Sequence, residues 1–151
     1  MLQPVSVEQR SLADYATFVG EEEVEAIRAL AKQLQGARVL HVNATAFGGG
    51  VAEILTTLVP LMQDVGLQAE WRVIYGSDEF FNVTKAFHNA FQGADIPITE
   101  AMKDVYERYG RLNAEAFEGG FDFVIVHDPQ PAAIPFYHGR AGGDKWLWRC
   151  H

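Results

Sequence analysis

The chain has 151 residues, 48% of them apolar, with 12 basic against 20 acidic side chains and a formal net charge of −8 at pH 7. That length suits one domain with a core of its own, and the acidic balance argues against nucleic acid or an anionic membrane as partner. A lone cysteine, Cys150, excludes an internal disulfide framework and a cysteine-based zinc site.

Apolar runs are short and broken by charge, so no transmembrane helix is expected. Residues 1–10 lack the basic-then-apolar profile of a signal peptide, which points to a cytoplasmic protein. Ser11 is a candidate N-cap for a short helix with Leu12, Tyr15 and Phe18 on its apolar face, closed by Gly20. Glu21, Glu22 and Glu23 suit the positive end of a second helix, with Val24, Ile27, Leu30, Ala31 and Leu34 as its buried stripe and Gly36 as its stop.

Residues 37–43 read as the first main strand. A loop through Gly48, Gly49 and Gly50 leads into a helix over about 51–65, with Val51, Ile54, Leu55, Leu58, Val59 and Met62 on one face and a kink expected at Pro60. Residues 68–75 form the second strand. Residues 80–91 form a helix with Phe80, Val83, Thr84, Phe87 and Phe91 inward. A longer helix starts near Pro97 and Thr99, carries Met102, Val105, Tyr106, Tyr109 and Leu112 on its face, and is weakened at Gly110 by about 1 kcal/mol relative to alanine. Residues 121–127 and 146–150 are the third and fourth strands.

Strands separated by helices imply parallel pairing through right-handed crossovers. The expected fold is an α/β, Rossmann-like layered parallel sheet of about four strands with helices on both faces. Strand 37–43 lies centrally, 69–75 on one side, and 121–127 then 145–150 on the other. Residues 1–36 form an amino-terminal helical segment packing on that sheet, and 37–151 the sheet domain.

Ligands in such sheets bind beyond the carboxyl ends of the strands. Those ends carry Asn43, Thr45 and the three glycines; Gly76, Ser77 and Asp78; His127, Asp128 and Gln130; and Arg149 and His151. The glycine loop opening a helix is the strongest physical signal, because bare backbone and free N–H groups at a positive dipole end suit an anion. It is neither the dinucleotide fingerprint, since Glu53 stands where a third glycine belongs, nor a P-loop. A turn that uses glycine for geometry alone is the competing reading.

His127 suits a sugar hydroxyl or proton transfer as well as it suits local backbone. His41, inside a strand, reads as a core histidine. His88 near Lys85 reads as a solvated helix face, and Trp71, Trp146 and Trp148 could stack on a sugar ring but read more readily as core. No paired carboxylates of glycosidase type and no metal cluster stand out.

The runs VLHVNATAFGGGVAEILTTLVPLMQDVGLQAEWRVIYG, FFNVTKAFHNAFQG, VIVHDPQP and WLWRCH, in order and spacing, resemble trehalose synthases of the glycosyltransferring type. These are retaining glycosyltransferases of the glycogen-synthase-like group, with the two-domain GT-B architecture. The resemblance implies the amino-terminal, acceptor-side domain of an enzyme that moves glucose from a nucleotide-diphosphate glucose to free glucose, giving trehalose.

It further implies that Gly48, Gly49 and Gly50 face the donor phosphates and that His151 contacts the transferred sugar. His127, Asp128, Gln130 and Arg149 then lie on the acceptor or sugar side, and Lys85 and His88 fall in a family string with their role open. No cofactor is implied beyond the nucleotide-sugar substrate. The family's carboxy-terminal domain is absent from these 151 residues, so no activity is expected of this chain alone. A non-catalytic sugar- or phosphate-binding module, and a half-domain stabilised as a homodimer, are the other readings.

Overall fold

The computed structural model describes residues 1–139 and 143–151. Its centre is a five-stranded sheet in the order β1-β3-β2-β4-β5, from β1 (Gln3–Pro4), β2 (Arg38–Asn43), β3 (Gln68–Val73), β4 (Phe123–His127) and β5 (Lys145–Arg149). The four strands β2 to β5 run parallel in the expected order. The fifth, β1, is antiparallel to β3, so the sheet is mixed and the segment before residue 37 adds a strand to it as well as helices. Two residues containing proline carry no periodic signal, and proline is tolerated there because β1 is an edge.

Two layers cover the sheet. On one face α3 (Gly50–Asp64) sets Ala52, Leu55 and Val59 against Ala69, Trp71 and Val73, and Met62 beside Val39, Phe123 and Ile125. On the other, α4 (Asp78–Phe91), α5 (Glu100–Ala116) and α6 (Ile134–His138) pack Phe80, Val83, Val105, Ala114 and Ile134 over Leu40, Val42, Val124 and Val126. Ser77 and Thr99 cap α4 and α5, their hydroxyls accepting from the N–H groups of Phe80 and Met102.

The amino-terminal helices depart most from the amphipathic reading. Ser11 caps a 3₁₀ turn (Leu12–Tyr15), followed by α1 (Ala16–Val19) and α2 (Glu21–Ala31). Val24 and Ala31 are buried, yet Phe18 is 85% exposed and Leu30 66%, with Ile27 and Leu34 also exposed. Periodicity says which residues share a helix face; the presence of another element against that face is a tertiary matter.

Ile54, Phe91 and Leu112 are likewise exposed rather than inward. The helical assignment of α3 continues through Pro60, which is buried. At Gly110 the reason is packing: a Cβ there would lie 2.9 Å from both the Ala133 Cβ and Tyr137 Cε2. Glycine lets α6, which the pattern did not predict, approach α5.

Candidate functional site

Parallel register brings three histidines onto one face of the sheet. His41 is level with Ile125, so His127 stands two residues further along β4 on the same face. His127 is level with Arg149, and His151 lies two residues beyond. The rings therefore step diagonally across β2, β4 and the end of β5. His41 Nδ1 lies 3.0 Å from His127 Nε2, and His127 Nδ1 lies 2.9 Å from His151 Nε2. His41 Nε2 lies 3.3 Å from the Met62 thioether sulfur of α3.

His41 and His127 are buried and His151 is exposed, so the chain of rings leads from the sheet interior to its carboxyl edge. Burial, with the Arg149 charge adding to it, lowers the pKa of His41 from 6.5 to about 4. Burial also brings His127 to about 4, with His41, His151 and Arg149 pushing the same way and Asp128 opposing. Both inner rings are neutral at pH 7.

The turn after β4 is pinned by β5. Asp128 adopts φ 63°, a left-handed conformation unusual for a residue with a side chain. Its N–H donates to the Arg149 carbonyl at 2.8 Å, and its carbonyl accepts from Trp148 Nε1 at 3.0 Å. Its Oδ1 accepts from the His151 N–H at 2.8 Å. Tyr106 of α5 donates its hydroxyl to the Pro129 carbonyl at 2.8 Å, and Gln130 follows, half-buried. This positive φ lies where strained backbone tends to serve a site.

The glycine loop leaves β2 at the same edge and on the same face, because α3 descends over the face that carries His41. Asn43 anchors its start: Oδ1 accepts from Trp71 Nε1 at 2.7 Å, and Nδ2 donates to the Thr45 carbonyl at 2.8 Å. Gly48 and Gly49 hold φ 67° and 85°, and no side chain caps the α3 amino terminus. A Cβ at Gly48, Gly49 or Gly50 would meet nothing within 4 Å. Gly48 and Gly49 serve backbone conformation, and all three glycines leave bare, open backbone at a helix start.

A cleft of about 280 Å³ lies between the loops that follow β2 and β3, lined by Thr45, Phe47, Tyr75, Gly76 and Phe81 among others. A larger hollow of about 570 Å³ lies beside the carboxyl end of α3, lined by Arg10, Asp14, Gln63 and Asp64. It is remote from the strand ends and from every candidate residue. The smaller cleft lies at the carboxyl ends of β2 and β3 and adjoins the glycine loop at Phe47, but its lining includes none of the candidate residues.

The structure thus unites Gly48, Gly49, Gly50, His127, Asp128, Gln130, Arg149 and His151 at one edge. Lys85 and His88 lie on α4, the first exposed and the second half-buried with its Nε2 2.9 Å from Gln92 Nε2. Phe87 packs on Tyr106 and Phe91 meets Trp148 edge-on, which ties α4 to this edge without joining Lys85 or His88 to the other candidates. His41 is the residue the sequence reading left out of the site. Its signal was its strand position, but strand register is needed to pair it with His127.

The family model "Trehalose synthase, N-terminal domain" matches residues 41–151. Trehalose synthase of Rubrobacter xylanophilus is 52% identical over 155 aligned positions, which take in 100% of this chain and 37% of that protein. Trehalose synthases of Pyrococcus horikoshii and Thermococcus litoralis are each 52% identical over 95% of this chain, covering 34% and 35% of those proteins. The chain spans about a third of the length of these curated relatives. No described helix is long and apolar enough to cross a membrane.

Proposed function

We propose, from the premise that this chain belongs to the family of trehalose synthase N-terminal domains, that its carboxyl edge forms the acceptor-side wall of a glucosyltransferase cleft. In this reading, the enzyme of which these residues form part moves glucose from a nucleotide-diphosphate glucose to free glucose in the cytoplasm, without a further cofactor. The observation that carries it is the meeting, on one face of one edge, of an anion-suited loop and a hydroxyl-suited one. Gly48, Gly49 and Gly50 present backbone N–H groups at a positive helix end, suited to donor phosphates. His151, Asp128 and Gln130 supply polar side chains for sugar hydroxyls, with Arg149 alongside.

Transfer between two sugars needs both held in line with water excluded. The edge described here is open on its outer side, so the 151-residue chain by itself is expected to give no turnover of NDP-glucose and glucose. Amide and imidazole shifts during titration with glucose, trehalose and UDP-glucose test the binding reading. Shifts at Gly48 to Gly50 with the nucleotide sugar and at His151 with the sugars are expected; no shift with any ligand removes it.

Self-association is favoured separately by β5, an edge strand with exposed Leu147 and Trp148 beside exposed Phe136. Light scattering that gives a monomer at micromolar concentration sinks that second reading.

A further inference from the structure

The three linked imidazoles have a direction. Each neutral ring carries one N–H and one lone pair, so the two ring-to-ring bonds can be made in two ways. Either Nε2 is the donor on all three rings, or Nδ1 is. Strand register and ring spacing serve both arrangements equally.

Met62 distinguishes them. A thioether sulfur only accepts, and it lies 3.3 Å from His41 Nε2. With the proton on Nε2 the contact is an N–H···S hydrogen bond inside the protein. With the proton on Nδ1, a nitrogen lone pair faces sulfur lone pairs, and among the described residues this nitrogen meets no donor instead. A buried polar atom without a partner is disfavoured strongly enough to bias such a choice by about tenfold or more.

We propose that the Met62 thioether sets the tautomer of all three rings, placing the proton on Nε2 of His41, His127 and His151 and leaving Nδ1 of His151 as an unused acceptor. His127 Nε2–H then donates to His41 Nδ1, and His151 Nε2–H donates to His127 Nδ1. Met62, His41 and His127 are positioning residues for the exposed ring. Depression of both inner pKa values to about 4 keeps those rings neutral, so the direction persists at neutral pH.

The consequence concerns ligand choice and rests on the sugar-facing reading of His151 given above. In its neutral form His151 presents only a lone pair at Nδ1, which accepts from a hydroxyl and has no proton to give a phosphate oxygen. The edge is thereby divided: N–H groups of the glycine loop for the anion, the imidazole for a hydroxyl.

Two-bond ¹H–¹⁵N correlations on the ¹⁵N-labelled, ligand-free chain near neutral pH read each tautomer directly. Protonated Nε2 and unprotonated Nδ1 on all three rings are expected; a protonated Nδ1 on His127 or His151 overturns the proposal. Met62→Leu conserves volume and should raise the Nδ1–H form of all three rings severalfold. An unchanged tautomer pattern in folded M62L also overturns it. If M62L does not fold, replacing methionine by selenomethionine preserves shape and must move the His41 Nε2–H resonances; no movement counts against the thioether. Glucose titration of the same sample tests the ligand reading separately, because absence of a shift at His151 leaves the tautomer result intact.

Discussion

Acidification from pH 7 to pH 5 should destabilise this fold through its two buried histidines. His41 and His127 have folded-state pKa values of about 4 against 6.5 for the free side chain. Between those values the unfolded chain holds protons that the folded chain refuses, so stability falls as pH falls. From pH 7 to pH 5 the unfolded-state uptake amounts to about 2 kcal/mol per ring, hence roughly 4 kcal/mol for the pair. That sum does not depend on how the rings share their interaction, because neither takes a proton in the folded state above pH 5.

Carboxylates contribute little in this window, since their ordinary pKa values lie near 4. For a domain of this size, a loss of about 4 kcal/mol corresponds to a Tm lower by roughly 8–16 °C. Urea unfolding at pH 7, 6 and 5, followed by tryptophan fluorescence, measures the free energy directly. Stability constant to within about 0.5 kcal/mol across that range would refute neutral burial of the paired rings.

Arg149→Gln removes an exposed positive charge that helps, behind burial, to lower both histidines, so the acid loss of stability should level off at a higher pH and be smaller in total than in the unsubstituted chain, read from the same urea curves extended below pH 5. Gly110→Ala gains about 1 kcal/mol of helix propensity but drives a methyl group against Ala133 and Tyr137. A net loss of up to about 2 kcal/mol is expected once overpacking is set against that gain, and a higher Tm would contradict the close α5–α6 contact. At Asp128, φ 63° penalises alanine and not glycine. Both substitutions lose the bond to the His151 N–H, so Asp128→Ala should be less stable than Asp128→Gly by about 1 kcal/mol in thermal melts.

How far the site was legible depended on which residues carry a local constraint. Gly48 and Gly49 did, since positive φ and open backbone restrict the residue type wherever the loop lies. Asp128 did not, because its backbone conformation is imposed by hydrogen bonds from β5, twenty residues away. The exposed Phe18, Leu30 and Leu34 misled for a related reason: they share the spacing of a buried stripe, but no sheet surface lies against them.

Strand periodicity, the turn glycines and the helix start at Thr99 by themselves determined the order of the main helices and strands and the parallel arrangement of β2 to β5. These are interactions between neighbours in the chain, or patterns of one element, and they survive without knowledge of what packs where. Only the tertiary structure added the antiparallel β1, brought α6 onto Gly110, and joined His41, His127 and His151 through two ring-to-ring hydrogen bonds. Those last depend on register between strands more than eighty residues apart in His41 and His127, where a slip of one residue would turn a ring to the opposite face.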